Sequence, residues 1–153
     1  MKTYLLTLIF SAAALMANGQ ELSVDRVDEF DGKVVKKTKY YRIGTNSAGN
    51  LYCGAARIDD IIFLDIWTYA EQGCGGADGN FVIFLFEDGT TYRNDKDEAK
   101  IDCKEKASCY YVVTPSDFEG QVTEKIRFAM SDGYIDYLWD GEFSIAELIQ
   151  ALQ

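Results

Sequence analysis

Asp-Gly occurs five times in this chain, at 31–32, 78–79, 88–89, 132–133 and 140–141. Both central positions of a type I′ turn need positive φ, so this pair between alternating apolar residues is the strongest short-range sign of a β-hairpin. The clearest instance is EKIRFAMSDGYIDYLWD (124–140). A two-residue turn at Asp132-Gly133 predicts Met130 opposite Ile135, Phe128 opposite Tyr137 and Ile126 opposite Trp139, all on one face. It also predicts Lys125 across from Asp140 on the other face.

The same reading extends along the chain. FVIFLFEDGTTYRN (81–94) predicts a second hairpin. Its first strand is apolar throughout from Phe81 to Phe86, which predicts burial on both faces, mid-sheet under a second layer. LYCGAARIDDIIFLDIWTYA (51–70) reads as a strand pair turning near Asp59-Asp60. LSVDRVDEFDGKVVKKTKYYRI (22–43) gives two strands around Asp31-Gly32, with a bulge where the alternation slips between Val24 and Val27. About nine short strands and a single proline predict a mainly β chain, an antiparallel sandwich or a partly open barrel.

Two helices interrupt the pattern. In TPSDFEG, Thr114 precedes Pro115 at the first helical position and Gly120 stops the turn, which predicts a short helix near 115–120. In EFSIAELIQALQ, Ser144 and Glu147 fit a capping box, with Phe143 and Leu148 as its hydrophobic staple. Ile145, Leu148, Ile149 and Leu152 share one face, so a C-terminal helix near 144–152 is expected to dock onto the sheet.

The first residues bear on compartment. Lys2 is followed by an apolar stretch from Tyr4 to Met16, broken only by Thr7 and Ser11, and then by Ala17-Asn18-Gly19. A positive end, an apolar run and a small-x-small exit mark a secretory signal peptide. A membrane anchor would need about 20 apolar residues, and Asn18, Gln20 and Glu21 arrive first. The expectation is a signal peptide over 1–19 and a single exported domain over 20–153, periplasmic or extracellular. No lipid anchor is expected, since the first cysteine is Cys53. The chain holds 15 basic and 25 acidic residues; losing Lys2 with the leader leaves 14 against 25, a net charge of −11. That balance argues against nucleic acid and against insertion into or adhesion to an anionic membrane, and favours cationic partners.

Export decides how the four cysteines are read. Cys53, Cys74, Cys103 and Cys109 are expected to form disulfides rather than metal or redox sites, because C-x-x-C spacing and histidine are both missing. Three pairings are open. Cys103–Cys109 with Cys53–Cys74 is favoured, since the five residues of the CKEKASC insert close cheaply.

Chemistry-bearing motifs are few. Without histidine the commonest general base and most nucleophile–base pairs are gone. Glu87-Asp88, Asp59-Asp60, or Asp136 with Asp140 are what remains for a carboxylate-based hydrolase, but acids at hairpin ends are ordinarily solvated turn formers. GCGGADGN (73–80) lacks the helix and Lys-Ser/Thr signature of a phosphate loop. NDKDEAKIDCKE (94–105) carries Asp95 and Asp97 but has Lys100 where a calcium loop needs glycine and Lys106 where it needs glutamate. No catalytic residue, metal or cofactor is expected.

One cluster stands out. Lys33, Lys36, Lys37, Lys39 and Arg42 crowd beside Tyr40 and Tyr41. Functionally this is a candidate ligand strip, for instance for an acidic glycan; structurally it is an edge strand whose lysines discourage pairing between molecules.

VDEFDGKVVKKT (27–38), EKIRFAMSDGYIDY (124–137) and the tail IAELIQALQ (145–153) resemble a group of small exported bacterial β-rich proteins of unknown function. That resemblance implies a small β domain and export, and brings no site residues with it. The functional expectation is a noncatalytic binding or accessory domain, its partner a basic protein or a glycan. The alternatives are an inhibitor or immunity-like protein that captures a cationic enzyme, and a small carboxylate hydrolase.

Overall fold

A computed structural model describes residues 21–47, 49–69, 81–94, 106–130 and 133–153. Through them run strands β1 (Leu22–Val27), β2 (Val34–Thr38), β3 (Tyr41–Asn46), β4 (Gly49–Ile58), β5 (Ile61–Tyr69), β6 (Phe81–Phe86), β7 (Thr91–Asn94), β8 (Lys106–Val113), β9 (Thr123–Met130) and β10 (Gly133–Trp139). A 3-10 turn, Pro115–Asp117, precedes β9, and the helix α1, Ile145–Gln150, follows β10. Every ladder among the described residues is antiparallel, so the mainly β expectation holds, as do both short helical segments. The expected leader, 1–19, lies outside the described residues, and no described helix is long and apolar enough to cross a membrane.

β4 organises the sheet. One edge pairs with β5, from Leu51 opposite Thr68 to Ile58 opposite Ile61. The other edge takes β3 and β2 end to end, which makes these two one strand broken at its middle. Lys37 faces Ala56 and Tyr41 faces Cys53, so Thr38, Lys39 and Tyr40 stand opposite only Gly54 and Ala55. Such an excess of residues bends a strand and re-aims its side chains. The Thr38 hydroxyl fills the gap in the ladder by accepting from the Ala55 amide at 2.9 Å.

β8 continues the sheet beyond β5, β1 beyond β2, and β10, β9, β6 and β7 follow in that order beyond β3. No backbone ladder joins β7 to β8 among the described residues. The sheet nevertheless curls until its far ends touch, where the Asn94 side-chain amide donates to the Val112 carbonyl at 2.8 Å. Inside the curl lie Leu51, Leu64, Ile66, Val82, Phe84, Ile126, Phe128 and Tyr137. Phe118, just after the 3-10 turn, joins them. So do Ile145, Leu148, Ile149 and Leu152 of α1 and its last turn. The expected capping box starts the helix: the Glu147 amide donates to Ser144 Oγ at 3.2 Å and the Ser144 amide to the Glu147 carboxylate at 2.7 Å.

Four expectations are corrected. In the β9–β10 hairpin Gly133 faces Met130, Ile135 faces Phe128 and Tyr137 faces Ile126, a slide of two residues from the predicted pairs. The slide leaves Ile126, Phe128, Ile135 and Tyr137 inward but sets Lys125 opposite Leu138 and Asp136 opposite Arg127, where the guanidinium donates twice to the carboxylate at 2.6 and 2.7 Å. β6 is not covered on both faces: Val82, Phe84 and Phe86 are buried, while Ile83 and Leu85 line a shallow outer groove. β2 is no edge strand, because β1 occupies its far side. The irregularity in β1 falls between Leu22 and Val24.

Candidate functional site: the outer aromatic face

The basic strip predicted from sequence is spread along the β2–β3 strand, and most of its charge is spent within the molecule. Lys33 pairs with Asp31 at 2.7 Å, Lys39 with Glu21, and Arg42 with Asp140 at 3.3 Å. The Lys36 ammonium donates to the Gln153 carbonyl at 2.9 Å. Lys37 stays exposed on the outer face opposite Ala56. Tyr41 turns the other way, its hydroxyl accepting from the Glu21 amide and its ring edge-on to Phe143 at 5.0 Å.

Tyr40 is the member of the strip that leads to a site. Period-two alternation sends Leu64, Ile66 and Thr68 of β5 inward and Ile61, Phe63, Asp65, Trp67 and Tyr69 outward. On the outer face Tyr52 of β4 stacks on Trp67, centroids 4.3 Å apart and planes 13° apart. Tyr69 and Tyr40 meet the same indole edge-on at 5.0 and 6.0 Å. The bulge swings Tyr40 across β4, and Gly54 gives it room: a Cβ there would stand 3.0 Å from the ring. Its hydroxyl donates to Asp65, a carboxylate only 6% exposed. Burial of the phenol end, then the bond to Asp65 and that group's charge, push the Tyr40 ionisation up.

Around this cluster the face is open. Tyr40, Ile61, Tyr69, Tyr110 and Val112 are exposed, Tyr69 by 58%, whereas Trp67 at their centre is only 8% exposed. Tyr110 lies opposite Asp65 and Val112 opposite Phe63, so β8 extends the same surface. On the β3 side Tyr40, Tyr41 and Arg42 continue into a cleft of about 330 Å³ with Asp140, Glu142 and Phe143.

No known family, curated protein or solved structure matches the chain.

The geometry of its other candidate groups narrows the chemistry. Asp59, at φ 52°, accepts the Val34 amide at 3.1 Å, and exposed Asp60 faces Arg57 at 3.6 Å. Asp88 accepts the Thr90 amide and hydroxyl at 2.8 and 2.6 Å, which with the side-chain bond foremost holds its carboxyl below the ordinary range. Asp136 is held by Arg127, and Asp140 lies beside Arg42. These acids are engaged in turns and ion pairs.

Cys53 and Cys109 are buried, unbonded and on the inner face, and burial pushes both thiols up. Both take Ile66 as their register partner, from its two sides. Two ladder steps separate their Cα atoms by about 9.5 Å, beyond the roughly 7 Å that a disulfide spans, so these two do not bridge each other. The expected pairings join them instead to Cys74 and Cys103, and those residues lie outside the described set. So do GCGGADGN and most of the acidic 94–105 segment.

Sequence reasoning reached Tyr40 and Arg42 but missed Tyr52, Trp67, Tyr69 and Tyr110. A signal was present. IIFLDIWTY alternates two apolar sets, and the second, Ile61, Phe63, Trp67 and Tyr69, has no place in a core that the first already fills.

Proposed function

We propose that the chain is an exported, noncatalytic binding domain that engages a protein through the outer face of β4, β5 and β8. The observation that carries this reading is the exposure of Tyr40, Ile61, Tyr69, Tyr110 and Val112 around a packed aromatic centre. Contiguous apolar surface of this kind marks interaction sites on soluble proteins, and tyrosines anchor interfaces at low entropic cost. A glycan fits less well. Trp67, the largest ring on the face, offers a sugar no open side, being covered by Tyr52 and edged by Tyr40 and Tyr69. Ile61 and Val112 offer nothing to hydroxyl groups. The engaged acids give the hydrolase reading no support.

A photo-crosslinking residue placed at Tyr110 or Tyr69 of the exported chain, against one at Glu119, tests the reading. Discrete adducts from the first two positions and none from Glu119 support it. Equal adducts at all three, or none at Tyr110 and Tyr69, overturn it.

A further inference from the structure

The aromatic face narrows its own partner when it is set against the charge of the whole molecule. Six of the described cations, Lys33, Lys39, Arg42, Arg57, Lys125 and Arg127, each sit in an ion pair with an acid of this chain, while Lys37 stays exposed on the outer face. The whole chain carries a net charge of −10. Near the face, Glu142, which makes no ion pair among the described residues, lines the cleft next to Tyr40.

Three occupants are disfavoured by this field. A second copy of the chain would bring the same excess against itself, and like charges juxtaposed across an interface cost several kcal/mol. Nucleic acid and anionic lipid surfaces are repelled in the same way. A cationic protein is drawn in, and the rings it meets suit it. A guanidinium or ammonium over the face of a tyrosine is attracted by the ring's negative face, most strongly where water is excluded. Tyr40, Tyr69 and Tyr110 are the exposed rings, and the carboxylate of Glu142 lines the cleft beside Tyr40.

We infer that the face formed by Tyr40, Ile61, Tyr69, Tyr110 and Val112 is the docking surface for a basic protein, which meets it with arginine and lysine side chains. The inference rests on the binding reading above and supplies its partner class. Capture of a cationic enzyme is the biological form this takes.

The test uses defined proteins: lysozyme and cytochrome c as basic probes, and two acidic proteins of similar size as controls, titrated by calorimetry onto the mature chain. At about 50 mM salt the basic probes bind and the acidic ones do not, and raising salt to about 500 mM weakens binding at least tenfold. Tyr69→Ser combined with Tyr110→Ser lowers affinity for the basic probes by about tenfold or more, with the melting temperature little changed because both side chains are surface groups. Glu87→Gln with Glu119→Gln, which removes two acids without touching the face, changes it less than about threefold. Failure of both basic probes to bind overturns the inference, as does equal loss from the two double variants, which would mean bulk attraction without a face. A dimer of this chain that the tyrosine variants dissolve overturns it too, making a second copy the occupant. If face-specific crosslinks form but the captured protein is acidic, the binding reading stands and this inference falls.

Discussion

Tyr40 and Gly54 show how one missing methyl shapes a surface. The bulge at Thr38–Tyr40 throws the tyrosine over β4, where the glycine lets the ring lie close enough to reach both Trp67 and Asp65. The backbone here is ordinary, so the need is for space rather than for positive φ. Gly54→Ala is therefore expected to lift the ring and cost about 1–3 kcal/mol by overpacking. In a Tyr40→Ser background the same change has no ring to displace, and its cost should shrink toward zero. Denaturant titrations of the four proteins in this cycle measure the coupling; an unchanged cost in the serine background would show that the ring is not what the glycine accommodates. This coupling is invisible in the sequence, because residues 40 and 54 meet only through a register set by the bulge.

At the scale of elements, the β9–β10 hairpin separates what alternation decides from what it leaves open. Parity is robust: Ile126, Phe128, Ile135 and Tyr137 face the core in the predicted and the observed register, since a slide of two residues preserves sidedness. The partner of each residue is not decided by parity. The observed register brings Asp136 opposite Arg127, a double charge-assisted bond that the predicted one lacked. That bond has a pH signature. Arg127 holds the Asp136 carboxyl below its ordinary 3.8. The folded-state value is the lower one, so the pair's contribution is whole above pH 3.8 and vanishes as acidity passes through the folded value. Both groups are about half exposed, which limits the effect to about 0.5–1 kcal/mol. Comparing denaturation at neutral pH and well below 3.8, Asp136→Asn should lose less stability on acidification than the parent; equal losses would remove the pair from the account. The capping box of α1, by contrast, was fully legible, because a helix start is settled by four consecutive residues. The β2–β3 strand was not, since β4 folds back along both β2 and β3 and β10 arrives from the far end of the chain.

For the molecule as a whole, fold class was legible and the arrangement of strands was not. Turn signals and alternation announce antiparallel ribbons, but nothing local says that β10 adds to β3 or that β8 passes over to β5. The proposed binding face was legible only in part for the same reason: Tyr52, Trp67 and Tyr110 come together on three strands, and three of the five basic residues of the strip are paired with nearby acids. The acid surplus is the part of the proposed function that is visible before folding. The contact between Asn94 and Val112 has a consequence of its own. A curled sheet whose two ends are fastened by a side chain behaves like a hoop with a buckle, and the buckle is where it opens. Losing a hydrogen bond worth about 1 kcal/mol shifts such an opening about fivefold. Cys109, buried on the inner face of β8 three residues before Val112, then becomes a built-in reporter: in the reduced protein Asn94→Ala should raise its alkylation rate about fivefold relative to the parent, and an unchanged rate would place the buckle elsewhere on the hoop.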